Sequence, residues 1–183
     1  MSENETTPEN EALTKESAKE NVEGKEAVQA GFALERIYVK DTSFESPNSP
    51  DIFKKQWKPE IKMDLHTKNK KLGDELYEIV VCTTLTASVD GMTAYIAEVQ
   101  QAGIFTVQGL EGMHLAQALS SYCPNILFPY LREAMDTIIV KGSFSPAMMA
   151  PVNFDAIFAN AVMQKKKQVE DAASAEAEDS TAH

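Results

Sequence analysis

Residues 76–105 read LYEIVVCTTLTASVDGMTAYIAEVQQAGIF, and this stretch decides the fold. Its first half places Tyr77, Ile79, Val81 and Leu85 at alternate positions. Successive side chains of a strand point to opposite faces, so the alternation predicts a strand over 76–89 with one richer apolar face. Asp90-Gly91 then stands between two β-rich runs. Both residues accept the positive φ that a two-residue turn between twisted strands requires, so the pair predicts a hairpin. The chain returns over 92–105 as a strand antiparallel to the first.

Upstream, 58–67 alternates cleanly, with Ile61, Met63 and Leu65 on one side and Lys58, Glu60, Lys62, Asp64 and His66 on the other. That pattern predicts a half-buried strand, with a polar turn over 68–73 leading into the hairpin. Earlier still, 32–45 is rich in β-formers, but its apolar parity changes between Phe32/Leu34 and Ile37/Val39. One extra residue in a strand produces such a change, so a bulge is expected there. Ser46-Pro47-Asn48-Ser49-Pro50 ends this strand as a turn. Four antiparallel strands in one sheet follow.

Downstream the apolar period moves from two toward 3.6. One helix is predicted over 111–122 and a second over 125–141, with Cys123-Pro124 breaking them apart because proline lacks a donor. Leu127, Leu131, Ala134 and Ile138 give the second its apolar spacing, and Gly142 is placed to end it in a left-handed conformation. Asn153 is placed to cap a last helix carrying Phe154, Ile157, Phe158, Ala161 and Val162. Strands followed by helices make an α+β chain: a four-stranded antiparallel sheet with helices packed on one face.

The folded unit is expected at 32–164. Residues 1–31 carry eight Glu and three Lys with few large apolar side chains, and 165–183 are dominated by Ala, Glu, Asp and Ser. Such segments bury too little surface to offset their ordering entropy, so both are expected to be disordered acidic extensions. The net charge of −11 disfavours nucleic acid and anionic lipid, whose binding needs Lys/Arg patches. The two cysteines make no disulfide framework, the N-terminus lacks the pattern of a signal peptide, and no run approaches a membrane span. A cytoplasmic protein without membrane insertion is the expectation.

Little in the chain points to catalysis. His66, His114 and His183 have no second ligand at metal spacing, so no metal is expected, and no phosphate-binding glycine loop or other cofactor motif occurs. Cys82 lies mid-strand. Cys123 beside a helix start is a candidate for activation, but no histidine is placed as its base. Asp41 and Glu45 fall on one face of a strand with Ser43 between them, as a solvated edge, an acidic docking surface or, in the enzyme alternative, a hydrolytic or ligand-binding pair. A general acid–base pair needs one carboxyl raised by an apolar pocket, which nothing nearby supplies. Phe53, Trp57 and Pro59 in one link, and Phe144, Met148, Met149 and Val152 in another, are more apolar than loops require. They either fill the core or build an adaptable apolar surface. An assembly protein without a client would instead leave Trp57 fully buried.

Three segments carry a resemblance. Residues 36–41 (RIYVKD) with 44–48 (FESPN), residues 98–105 (EVQQAGIF), and residues 122–130 (YCPNILFPY) with 150–156 (APVNFDA) are similar to the SecB family of protein-export chaperones over about 32–164. Ala102 stands where that family commonly has a glycine. The resemblance implies a non-enzymatic cytoplasmic bacterial chaperone, without cofactor, that holds unfolded precursor proteins and passes them to the SecA motor for translocation. It implies a homotetramer built as a dimer of dimers. By position, Asp41, Glu45, Ile96 and Glu98 form the SecA-docking face. Trp57, Met63, Leu65, Phe154 and Phe158 belong to the client groove. Ala97, Val99 and Gln101, with Met113, Ala116 and Leu119 of the 111–122 helix, belong to the subunit interfaces.

Overall fold

The computed structural model of the chain describes residues 31–179; the expected disorder of 1–30 and 180–183 lies outside the described residues. Four strands, β1 (Gly31–Glu45), β2 (Glu60–Gly73), β3 (Leu76–Val89) and β4 (Met92–Gln108), form one antiparallel sheet in the order β1-β4-β3-β2. The β3–β4 hairpin turns at Asp90 and Gly91, with φ of 51° and 74°. Helices α1 (Gly112–Gln117), α2 (Cys123–Lys141) and α3 (Phe154–Asp179) follow. α2 packs on β4, β3 and β1.

The core lies between α2 and the facing side of the sheet. Ile79, Val81, Leu85, Val99 and Phe105 meet Leu127, Leu131, Met135 and Ile139, all at most 1% exposed. The buried helical row recurs every four residues, with Ala134 and Ile138 flanking it. Burying each such side chain contributes roughly 1.5–3 kcal/mol. Gln101 is also buried on this side, and its Nε2 donates to the Tyr38 carbonyl at 2.9 Å.

The structure revises several expectations. β1 carries two register shifts, between Leu34 and Arg36 and between Val39 and Asp41. The first answers the parity change in the sequence. The second moves Asp41, Ser43 and Glu45 to the open face and Phe44 to the helix side. β2 does not turn at 68–73 but runs to Gly73, and the chain reverses at Asp74 and Glu75 instead. The long β3 supplies ladder partners as far as Gly73, with one irregularity after Lys71, and pairs Lys70 with Glu78 across the strands. Nor is β2 half-buried: only Leu65 is partly covered, because α2 stops short of this edge.

Cys123-Pro124 does not separate two helices. Ala118–Tyr122 forms a π turn that joins α1 to α2, and the Cys123 N–H reaches the Ala118 carbonyl one residue beyond α spacing. The widened turn accommodates the donor that Pro124 lacks. Gly142 is not left-handed, at φ −77°; Ser143 takes that role at φ 67°. Glycine stands at 142 because an added Cβ would lie 2.2 Å from the Phe44 ring. Asn153 does cap α3, its Oδ1 accepting from the Ala156 N–H at 2.9 Å. α3 continues past 164 to Asp179, since Gln, Lys, Ala and Glu favour helix and no glycine or proline stops it.

Gly142→Ala tests this packing. Phe44 is hemmed in by Tyr95 and Phe144, with ring centroids at 5.8 and 6.2 Å, so the ring cannot swing aside freely. Overpacking there should cost about 1–3 kcal/mol, read as a lower urea midpoint at unchanged slope.

Candidate functional site

The helix side of the sheet ends in an apolar ledge. Ile61 and Met63 project from β2 toward this side and stay 44% and 45% exposed, with Leu65 half-buried beyond them. Trp57, at 36% exposure, stands in the link before β2. Its ring lies 5.3 Å from that of Phe144, which also touches Tyr95 and Phe53 at 5.1 Å each. A pocket of about 200 Å³ opens between Phe53, Trp57 and Phe144. Asp136 of α2 holds the loop that follows Phe144, its Oδ1 accepting from the backbone N–H groups of Ala147 and Met148 at 2.9 and 3.2 Å. Met148 is thereby presented to solvent at 70% exposure.

Other members of the expected groove divide. Phe154 is 1% exposed and meets Phe128 edge-on at 5.7 Å, so it anchors α3 inside the core. Ser121 helps, its Oγ donating to Asp155 Oδ1 at 2.5 Å. Phe158 is half-buried on the following turn. Of the loop residues, Phe144 and Met149 are buried, whereas Phe53, Trp57 and Met148 are exposed. Some of these loop residues therefore fill the core and others stand at the surface, and Trp57 is not fully buried.

The opposite face of the sheet is open, and the register sets its chemistry. Asp41, Ser43 and Glu45 lie across from Gln100, Glu98 and Ile96. Glu98 is therefore diagonal to both Asp41 and Glu45, and Gln100 Nε2 donates to its Oε1 at 3.1 Å. Ile96 sits beside Glu45, so all four residues expected on the acidic face share one patch. Nearer the middle of the face, Tyr38 and Lys40 both donate to the Glu78 carboxylate, Lys40 at 2.8 Å. The Lys40 and Tyr38 hydrogen bonds hold the Glu78 carboxyl below its ordinary range. The bond to Glu78, with burial, pushes the Tyr38 phenol up to about 12. Beneath Tyr38, the buried residues Val80, Cys82 and Ala102 form a small second core.

The expected interface residues also divide. Ala97, Val99 and Gln101 are buried under the chain's own helices, as is Leu119, whereas Met113 is 58% exposed and Ala116 half-covered. Met113 and Ala116 are the members of that set with surface to offer.

The thiols are not activated. Cys123 lies within a continuous helical run, and burial pushes its thiol up to about 12; burial also raises Cys82. His66 faces Cys82 across the strands on the open face, and His114 is exposed on α1. His183 lies outside the described residues. No cluster of three metal-ligating side chains occurs among the described residues.

The residues missed in the sequence are Tyr95, Phe44 and Ile61 at the ledge and the Tyr38–Lys40–Glu78 cluster. Ile61 was legible as apolar but expected to be covered. The cluster hides because Lys40 sits in the second bulge, where simple alternation fails.

An apolar ledge on one side of a sheet and a charged open face on the other define an α+β binding domain. Comparison with known proteins gives the family. The model of SecB, preprotein translocase subunit SecB, matches residues 25–165. The protein-export protein SecB of Hahella chejuensis is 55% identical over 148 residues, covering 81% of this chain and 92% of that one. Its counterpart in Marinobacter nauticus is 56% identical over 140 residues, covering 76% and 85%. A Mycobacterium tuberculosis SecB-like chaperone, solved in complex with a ChAD peptide from the HigA1 antitoxin, shares the fold at a TM-score of 0.55 and 11% identity. That match covers 67% of this chain and 90% of the other. The chain belongs to the SecB family; it is a protein-export chaperone and not an enzyme. The hydrolytic alternative for Asp41 and Glu45 falls with that finding.

The native protein should show no fast-reacting thiol toward an aromatic disulfide reagent at mildly alkaline pH, because thiolate is the reactive form. Both cysteines should react at once in concentrated guanidinium. Rapid native labelling would contradict the burial of Cys82 and Cys123.

Proposed function

We propose that the ledge formed by Trp57, Ile61, Met63 and Leu65, with its Phe53–Phe144 pocket, holds unfolded segments of precursor proteins in a translocation-competent state. The observation that supports this reading is apolar surface left exposed along an edge strand. Unfolded clients share no sequence, so their capture needs adaptable apolar contacts and free strand-edge backbone rather than a shaped polar site. β2 offers both. Phe158 borders this surface in the reading, and Phe154 supports it from within.

The acidic patch of Asp41, Glu45, Ile96 and Glu98 is the docking face for SecA in this proposal. Like charges at diagonal positions on neighbouring strands repel, more weakly than directly opposite ones, so a basic partner that neutralises them relieves that repulsion. The working form is a cytoplasmic homotetramer, a dimer of dimers, in which Met113 and Ala116 of α1 meet a neighbouring subunit. The chaperone domain spans 32–164, with acidic extensions on either side. No helix among the described residues is long and apolar enough to cross a membrane.

Two measurements test this function. Adding an unfolded precursor should shift Trp57 emission, while the folded form of the same protein should not; equal shifts from both would exclude a chaperone reading of the ledge. Asp41→Asn, Glu45→Gln and Glu98→Gln combined should leave folding intact or slightly improved. The triple variant should weaken SecA binding roughly tenfold at low salt, from about 0.5 kcal/mol per exposed charge contact, and flatten its salt dependence. Unchanged SecA affinity would return the patch to a solvated face.

A further inference from the structure

The open face carries more charge than the acidic patch, and the ladder sorts it by sign along the strands. In the rows of Glu78 and Val80, β2 contributes Lys70 and Lys68 and β1 contributes Arg36 and Tyr38. Lys40 reaches the same region from the second bulge, where it binds Glu78. In the rows of Thr84 and Thr86 stand Asp64, Glu98 and Glu45, with Lys62 among them and Asp41 one row away. One half of the face is basic and the other acidic. Glu35 tempers the basic half at its outer end, where it accepts from Thr106 Oγ1 at 2.8 Å.

The basic half is only partly neutralised from within the described residues: Lys40 pairs with Glu78 and Lys70 acts on the same carboxylate from further off, but Arg36, Lys68 and Lys70 make no ion pair of their own. Arg36, Lys68 and Lys70 are exposed, and the ion pairs on the sheet go to Lys40, Lys55 and Lys71 instead. Glu78, which faces Lys70, is already held by Lys40 and Tyr38. No helix among the described residues covers this side; α2 lies on the other.

Residues 1–30 carry eight Glu and three Lys, and they enter the sheet at its basic end, since Gly31 pairs with Gln108 beyond the row of Leu76. Glu20, Glu23 and Glu26 lie five to eleven residues ahead of Gly31. Arg36 is about 17 Å along the strand from that point, and Lys70 is a further three strand spacings, about 14 Å, across the sheet. Eleven residues span up to about 36 Å and eight about 26 Å, so Glu20 and Glu23 reach the basic half without strain, and Glu26, at about 17 Å of backbone, reaches it with extended side chains. Tethering also holds the segment at an effective concentration in the millimolar range, where exposed charge contacts too weak to recruit a free acidic partner are enough.

We propose that the acidic segment 1–30 folds back over the basic half of its own sheet, held by Arg36, Lys68 and Lys70. The contact neutralises the cations and leaves the open face acidic from end to end. The benefit of that to a basic partner rests on the docking function proposed above; the contact itself does not.

Zero-length carboxyl–amine coupling of the full chain at low ionic strength, followed by peptide mapping, tests this. Glu20, Glu23 and Glu26 should couple to Lys68 and Lys70 several-fold more than to the exposed Lys58 and Lys141, and added salt should abolish the preference. An equal mixture of heavy-nitrogen and ordinary chains should give linked peptides of unmixed isotope content. In parallel, Glu20→Gln, Glu23→Gln and Glu26→Gln combined should shift the backbone amide resonances around Arg36, Lys68 and Lys70. Even coupling to all exposed lysines, with no such shifts, overturns the proposal. Isotopically mixed links assign the face to a second copy of the chain and overturn it equally.

Discussion

The register of the β3–β4 ladder is the constraint on which the other features rest. Asp90 and Gly91 close the hairpin at positive φ, and from that turn each residue of β3 is assigned a partner on β4. Strand side chains alternate, so this assignment also decides which of them face α2. Slipped by one residue, the ladder would turn Ile79, Val81 and Leu85 toward water and press Glu78 and Thr84 against Leu131 and Met135. The cost of that exchange holds the register. β1 and β2 then attach to a pattern already set.

Much of this is legible in the chain itself. The limits of β3, the turn after it, the bulge in β1 and the cap at Asn153 all follow from local chemistry that tertiary contacts do not override. What was not legible depends on neighbours distant in sequence. β2 runs on through Lys68–Lys71 because β3 offers partners there, although lysines are poor strand formers. Pro124 stays within a helix because a π turn absorbs its missing donor. Gly142 reads as a helix terminator, but its position answers to a phenylalanine ring on β1.

The site divides in the same way. Asp41 and Glu45 could be assigned to one face from their spacing, because the bulge that re-aims them lies just before Asp41. Glu98 joins them through the β1–β4 register, which the sequence of neither strand contains. The apolar loop residues were visible as an excess, yet nothing local separates buried Phe144 from exposed Phe53. That difference is set by Tyr95 and Phe44, which arrive from two other strands. The basic half of the open face was hidden for a further reason: a 68–73 turn would have removed Lys68 and Lys70 from the sheet altogether.

Rigidity varies across the sheet in a way that suits its two surfaces. Glu98 and Ile96 alternate along β4 with Ala97 and Val99, which are fully buried under α2. The charged row cannot shift without opening the core, so the acidic residues keep fixed spacing, which suits the docking role proposed for them. Met63 and Ile61 lie on the outermost strand, beyond the reach of α2, and their neighbours on β2 are almost all exposed. Side chains there are free to change rotamer, and the free edge of β2 accepts backbone pairing from any sequence. On the roles proposed for the two surfaces, defined charge recognition falls at the packed centre of the sheet and tolerant apolar binding at its unpacked edge, which is where the physics of each favours it.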